Sequence, residues 1–144
     1  MPLHLIKLCV GCDSIEDLAA WQAERLKQMK RDGVKPELFH RTFQMPKRRE
    51  ELLDGGSLYW VIKGVIRVRQ RIVGVESVVH EGEPHCKLVL DRKLVRVMPR
   101  AMRAFQGWRY LEASSAPKDL GEVGKGAADM PPKMVEELRE LGLL

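Results

Sequence analysis

Residues 57–72 have the sequence SLYWVIKGVIRVRQRI, and this stretch decides the fold. Its first part, Ser57 to Lys63, is an apolar and aromatic run that predicts a strand, and Gly64 ends the run. From Val65 onward apolar residues alternate with arginines, and this period of two is typical of a strand with two unlike faces. We therefore expect two consecutive strands, the second with one basic face.

The flanking sequence predicts further short strands. They are expected at residues 3–10, 40–45, 86–90 and 94–97, with a turn at residues 80–84. Residues 105–111 form an aromatic cluster, and their pattern predicts neither a helix nor a strand. Strands that mostly follow one another in sequence favour a small antiparallel sheet or barrel over an alternating βαβ array.

Three helices are predicted around these strands. Apolar side chains recur at three- and four-residue intervals over residues 14–31, as in an amphipathic helix. A short helix is expected to begin at Pro46 and to end before Gly55. Small residues at 121–128 predict a mobile loop, and residues 131–141 predict a last helix. The predicted fold class is α+β, a mostly antiparallel sheet or barrel flanked by helices.

The composition is that of one folded domain, which we expect to span residues 1–144. Hydrophobic residues make up 44% of the chain and charged residues 31%, which is ordinary for a globular protein. No apolar run approaches the roughly 18 residues needed to cross a bilayer, and residues 1–7 lack the basic region of a signal peptide. Three cysteines, an odd number, favour a reducing compartment. We therefore expect a cytoplasmic protein without a membrane partner.

Positive charge is concentrated in two blocks. The formal net charge is +5; residues 41–71 carry eight basic and three acidic residues, and residues 92–109 carry six basic residues and no acidic one. Such blocks indicate a polyanionic partner if folding gathers them on one face. The alternative is a solvated basic surface with no partner.

Two groups in the first block are candidate phosphate ligands. Lys47, Arg48 and Arg49 are expected in the first turn of the short helix, where the helix dipole also attracts anions. Arg67, Arg69 and Arg71 are expected on one strand face at intervals of about 6.6 Å, close to the phosphate repeat of an extended nucleic-acid strand. Like charges in a row repel, so the three arginines need a negative partner. If it is not a nucleic acid, cross-strand acids such as Glu81 and Glu83 would compensate the charge.

The second block mixes cations with an aromatic residue. Arg100, Arg103 and Arg109 flank Trp108, whose indole can stack on a base while guanidinium groups pair with phosphate. Alternatively, Trp108 and Trp60 are both buried residues that anchor the hydrophobic core.

The cysteines suggest no specific chemistry. Cys9 and Cys12 have C-x-x-C spacing before a helix, but a redox fold would need a βαβ pattern. A zinc site would need further ligands, and only the adjacent pair His85 and Cys86 is available. No G-x-S-x-G or dinucleotide-binding pattern is found. We expect no catalytic residues, no cofactor and no metal, with the cysteines as buried or bystander thiols.

Three segments resemble a bacterial family of uncharacterised proteins, the domain-of-unknown-function family 1489. They are residues 5–11 (LIKLCVG), 46–64 (PKRREELLDGGSLYWVIKG) and 105–111 (FQGWRYL). The resemblance covers nearly the whole chain and implies no particular activity.

Residues 51–61 and 71–75 are also similar to PUA-like barrels of the EVE and ASCH branches. In those domains a short helix, a glycine and an apolar aromatic strand come in the same order. The similarity implies a PUA-like barrel and binding of RNA or modified bases.

The function predicted from these observations is binding of RNA, or another nucleic acid, without catalysis. It requires that the two basic blocks meet on one face that lacks compensating carboxylates. One alternative is an enzyme acting on a modified nucleobase or nucleotide, which would need a polar pocket beside aromatic residues. The other is a protein-interaction module whose acidic C-terminal helix docks on a partner.

Overall fold

The structure is a computed structural model that describes residues 2–122. Its α-helices and β-strands in chain order are β1 (Leu3–Leu8), α1 (Ile15–Arg31), β2 (Leu38–Thr42), α2 (Arg49–Leu53), β3 (Ser57–Ile62), β4 (Val65–His80), β5 (Glu83–Leu90), β6 (Val95–Ala101), β7 (Trp108–Glu112) and β8 (Asp119–Glu122), with a 3-10 helix at Ala113–Ser115. The predicted helix at residues 131–141 and most of the predicted loop at 121–128 lie outside the described residues.

The strands of residues 2–122 form one eight-stranded mixed sheet. Six of them have the order β2-β5-β4-β3-β1-β7, while β6 pairs with β4 and β8 pairs with β6. The pairing of β1 with β3 is parallel, and the other pairs are antiparallel. The prediction of an α+β fold with a mostly antiparallel sheet is confirmed. Of the two predicted forms, the described residues have an open sheet and not a closed barrel.

Alternate residues of the strands build two separate cores. Leu5 and Leu58 are partners in the β1–β3 pair and belong to the larger core, which also contains Leu18 of α1 and Leu52 of α2. Their neighbours in sequence, such as Tyr59, belong to the smaller core. Because successive side chains on a strand point to opposite faces, the two cores lie on opposite sides of the sheet. We call these sides the helix face and the outer face.

The helix α1 forms where the amphipathic pattern predicted it. Ser14 is its N-cap, and the Ser14 side-chain oxygen accepts a hydrogen bond from the Asp17 backbone N–H at 3.1 Å. Such a cap satisfies a donor that the first helical turn leaves free. Ile15, Leu18 and Gln22 are buried, so the predicted stripe is the one that packs on the sheet.

The sheet is strongly curved, and its two end strands are linked through side chains. The indole N–H of Trp108 donates to the Gln44 carbonyl oxygen at 2.8 Å, and the Tyr110 hydroxyl accepts from the Arg48 backbone N–H at 3.1 Å. Trp108 and Tyr110 lie on β7, while residues 44 and 48 follow β2. In a flat sheet five strand spacings would separate these ends by about 24 Å. The curvature brings the segment after β2 against β7 without backbone pairing between the two strands.

The predicted start of the short helix is wrong, and the alternation seen in residues 65–72 covers only the first half of its strand. The strand β4 continues to His80, because a register shift between Ile72 and Gly74 changes the alternation without ending the strand. The helix α2 begins at Arg49 and not at Pro46, and its first turn contains Glu50 and Glu51. Lys47 and Arg48 therefore precede the helix, where the Arg48 N–H is held by a tertiary hydrogen bond.

Strand β8 was not predicted. It has four residues and includes Gly121, so its sequence gives only a weak strand pattern. Its pairing with β6, and an ion pair made by Asp119, hold it in place.

Candidate functional site

The predicted phosphate ligands are divided between the two faces of the sheet. Arg69 pairs with Tyr59, and Arg71 with Ser57, which places both arginines on the outer face. Lys47, Arg48 and Arg49 accompany α2, whose Leu52 packs into the core of the helix face. The structure does not bring these two groups onto one continuous face.

Two of the predicted ligands are neutralised by acids of the chain itself. The Arg69 guanidinium donates two hydrogen bonds to the Asp119 carboxylate, both at 2.7 Å. Arg48 lies 2.6 Å from a Glu51 oxygen and 3.2 Å from a Glu112 oxygen. These carboxylates raise the pKa of both arginines. Arg69 is therefore compensated by Asp119 and not by the predicted acids Glu81 and Glu83.

Other predicted ligands make different internal contacts. The Arg100 guanidinium donates to the Ser115 carbonyl oxygen, and that of Arg109 lies 4.7 Å from the centre of the Phe105 ring. The Nε atom of Arg67 is buried and has no hydrogen-bond partner within residues 2–122. Neither Arg100 nor Arg109 has an acidic partner in the described part of the chain, so the positive charge of both stays uncompensated there.

Four predicted cations are exposed and have no ion-pair partner among the residues that the structure describes. They are Lys47, Arg49, Arg71 and Arg103. Their charges remain available to an external anion.

The predicted stacking residue Trp108 is a link between strands. Its N–H is donated to Gln44, and its ring lies 4.8 Å from that of Tyr110 in an edge contact. These contacts account for the aromatic cluster at residues 105–111, and they orient Trp108 towards the chain itself.

A different cavity on the helix face combines aromatic rings with titratable groups. It has a volume of about 420 Å³ and lies where β1 ends and α1 begins. Its polar and aromatic wall is formed by Lys7, Cys9, Cys12, Asp17, Trp21, His40 and Trp60. We call it the tryptophan cavity. Its volume is within the roughly 300–1,000 Å³ typical of ligand pockets.

Trp60 is a fixed wall of the tryptophan cavity. Its N–H donates to the Gln70 side-chain oxygen at 2.8 Å, and Gln70 exchanges hydrogen bonds with Gln22 of α1. All three side chains are buried. Because the network satisfies the polar atoms of Trp60, its ring cannot reorient without leaving a buried donor unpaired.

Trp21 differs from Trp60 because it is 52% exposed. The guanidinium of Arg25, one helical turn later, lies 5.3 Å from the Trp21 ring and 4.8 Å from the Phe39 ring. An exposed indole at the mouth of a cavity can accept a stacked aromatic ligand. The sequence contained a signal for this residue, since Trp21 flanks the buried stripe of α1 and does not belong to it.

Lys7 places a positive charge at the wall of the tryptophan cavity. Burial lowers the pKa of its amine. Asp17 lines the same cavity, but no carboxylate of residues 2–122 forms an ion pair with Lys7. A half-buried cation without a partner has an uncompensated desolvation cost, which pairing with an anion would offset. The cavity therefore has a place for an anionic group.

The pKa of His40 reflects the positive charges around this cavity. Its pKa is lowered to about 4, first by burial and then by the charges of Lys7, Arg25 and Arg41. The neutral imidazole makes an edge contact with the Trp60 ring at 5.4 Å. Three cations thus act on one point of the cavity wall, and the imidazole adds no charge at neutral pH.

The Cys9 thiol of the cavity is not activated. Burial raises the pKa of Cys9, and a hydrogen bond with Cys12 raises it further. The pKa of Cys86, which lies in the larger core, is also raised by burial. A raised pKa disfavours the reactive thiolate. Within residues 2–122 no group of three His, Cys, Asp or Glu side chains is arranged to hold a metal ion.

Comparison with known proteins gives a family. The family model described as "Protein of unknown function (DUF1489)" matches residues 5–144. The chain belongs to the DUF1489 family. The resemblance carried by residues 5–11, 46–64 and 105–111 is thereby confirmed, whereas the similarity to PUA-like domains stays a prediction. No curated protein and no solved structure matches this DUF1489 chain.

No helix in the described part of this DUF1489 protein is long and apolar enough to cross a membrane. Membership of the family assigns no role to any residue of the tryptophan cavity. What the cavity can bind is therefore argued from its own chemistry.

Proposed function

We propose that this DUF1489 protein binds RNA without catalysis and holds one nucleotide in the tryptophan cavity. The observation that carries the proposal is the Lys7 ammonium group, which has no partner within residues 2–122, in a cavity lined by two indole rings. A nucleotide supplies both complements, a planar base for the Trp21 ring and a phosphate for Lys7. DNA offers the same two groups and is the second ligand to compare.

The surrounding charges support a polynucleotide over a neutral aromatic ligand. Arg25 and Arg41 act on the cavity wall beside Lys7. Such a field draws a polyanion towards the cavity and strengthens its binding at low salt. Arg71, an exposed cation of the outer face with no acidic partner in residues 2–122, would contact a further phosphate where the strand passes around the edge of β2.

A salt titration with matched lysine variants tests the proposal. We expect Lys7→Met to weaken binding of a single-stranded RNA oligonucleotide and to flatten the slope of log affinity against log salt by about 0.7, the loss of one phosphate contact. Lys7→Arg keeps the charge and should retain the slope. Fluorescence anisotropy at several salt concentrations measures both quantities.

The control variant is Lys27→Met, which removes the same charge from an exposed position of α1 that does not line the cavity. Its slope should equal that of the wild type. Equal losses for Lys7→Met and Lys27→Met would contradict the proposed site, and the absence of RNA binding by the wild type would contradict the proposed function.

One observation favours a second function, an enzyme acting on a modified nucleobase or nucleotide. The Lys7 amine lines a cavity with two indole rings, and burial lowers its pKa, the direction that favours a nucleophilic amine. An enzyme of this kind would change the mass of a nucleoside in the RNA, which mass spectrometry after incubation would detect. Loss of that change in Lys7→Arg, with RNA binding retained, would favour the enzyme.

A further inference from the structure

A second cavity lies at the end of the sheet where β4 turns into β5. It has a volume of about 410 Å³ and is lined by Arg41, Phe43, His80, Glu81, Glu83 and His85. We call it the hairpin cavity. None of its residues takes part in the tryptophan cavity, but Arg41 acts on the titration of His40 there.

The hairpin cavity presents an open aromatic surface. Phe43 is 76% exposed, and its ring centre lies 4.6 Å from that of His85 at an angle of 41°. His85 in turn makes an edge contact with His80 at 5.6 Å. An exposed phenyl ring backed by an imidazole is a surface on which a planar group can stack.

The two carboxylates determine which part of a nucleic acid fits here. Glu81 lies in the turn between β4 and β5, 3.9 Å from the His80 imidazole, and Glu83 is the cross-strand partner of His80. Carboxylates repel phosphate and accept hydrogen bonds from the amino groups of base edges. A base, and not the backbone, therefore suits a cavity that combines these acids with stacked rings.

The two cavities are close enough to share one strand of nucleic acid. His40 lines the tryptophan cavity, and Phe43 lines the hairpin cavity three residues later, a rise of about 10 Å along an extended chain. β2 is the end strand of the sheet order, so a ligand can pass around its edge. Arg41 lies between the two positions and can hold a phosphate on the way.

We propose that the hairpin cavity is a base-recognition subsite that selects bases with an exocyclic amino group over uracil. This inference rests on the proposed function, because the strand that supplies the base is the one held at the tryptophan cavity. Phe43, backed by His85, stacks on the base, Glu81 or Glu83 accepts its amino hydrogens, and Arg41 contacts the phosphate that links the two nucleotides.

Binding of six-nucleotide RNAs of adenine, cytosine or uracil tests the inference. We expect the wild type to bind the adenine and cytosine oligonucleotides about tenfold more tightly than the uracil one, from the hydrogen bonds to the amino group. Phe43→Ala should weaken binding of all three by about tenfold, the loss of one stacked base. Glu81→Gln combined with Glu83→Gln should remove the difference between the bases.

Val79→Ala is the matched control, because Val79 is 76% exposed at the same end of β4 and does not line the cavity. Its affinities should be those of the wild type. Binding of all three oligonucleotides with equal affinity and no effect of Phe43→Ala would overturn the subsite alone. Failure of the wild type to bind any of them would overturn the proposed function as well.

Discussion

At the scale of single residues, burial acts in the same direction on Lys7 and His40. It lowers the pKa of both groups, and the charge of Lys7 adds to the effect on His40. A neutral imidazole beside an ammonium group avoids repulsion inside a half-enclosed space. The tryptophan cavity therefore keeps its positive charge on residues that can reach a ligand.

This arrangement predicts that stability falls in mild acid. The unfolded state takes up a proton on His40 near pH 6.5, whereas the folded state does so only near pH 4. Stability is therefore full above about pH 6.5 and falls as the pH decreases towards 4. After allowance for solvent screening the loss is about 1–3 kcal/mol.

The variant His40→Gln tests this effect, since it removes the titrating group. Urea unfolding between pH 4 and 7.5 should give a flatter pH dependence for His40→Gln than for the wild type. Lys7, Arg25, Arg41 and Asp17 are the charged groups around His40, and all are retained in the variant. Parallel curves for the two proteins would show that His40 is not the group responsible.

At the scale of elements, two arginines of β4 have the same predicted role and different surroundings. Arg69 is held by Asp119 of β8, and its side chain is 24% exposed. Arg71 is exposed and has no ion-pair partner within residues 2–122. Arg69 therefore links β4 to β8, whereas Arg71 can contact a ligand.

We expect Arg71→Gln to flatten the salt dependence of RNA binding by about 0.7, one phosphate contact. Arg69→Gln should leave the slope unchanged and lower the stability by about 0.5–3 kcal/mol, because it leaves Asp119 without its partner. Anisotropy and urea unfolding separate the two effects. A slope altered by Arg69→Gln alone would reverse the assignment.

The end of α2 approaches β1 so closely that only glycine fits at position 56. A Cβ atom there would overlap the carbonyl oxygens of Leu3 and Leu52, both of which are backbone atoms. We expect Gly56→Ala to destabilise the protein by more than about 2 kcal/mol, since the overlap requires backbone movement.

Gly33→Ala is the comparison for this prediction. Gly33 has a φ of 74° and open space around it, so its substitution adds only the strain of a left-handed residue, about 1–2 kcal/mol. Thermal unfolding of both variants measures the difference. A smaller effect at Gly56 than at Gly33 would contradict the close approach of α2 and β1.

At the scale of the whole molecule, local pattern predicted the elements but not their arrangement. The apolar stripe of α1 and the alternation from Val68 to Ile72 are local patterns, and they predicted α1 and the first part of β4. The separation of Lys47 from Arg71 by the sheet depends on which strands pair, and sequence blocks of charge contain no such information. Asp119 neutralises Arg69 across fifty residues of sequence, which composition cannot show.

The tryptophan cavity was missed for the same reason. It joins Lys7, Trp21, His40 and Trp60 from four elements, and none of them belongs to a short motif. Only the requirement of a polar pocket beside aromatic residues was anticipated, as a condition for the enzyme alternative. Lys7 and Trp60 are partners in the β1–β3 pair, whereas His40 of β2 reaches Trp60 because the sheet is curved.

Photocrosslinking of a bound single-stranded RNA, with the modified peptides identified by mass spectrometry, tests the central claim most directly. A nucleotide held in the tryptophan cavity predicts crosslinks to Trp21 and to the neighbouring residues 7–12, and these should be lost in Lys7→Met. Crosslinks confined to the outer face, around Arg71 and Arg100, with none in α1 or at the end of β1, would contradict it.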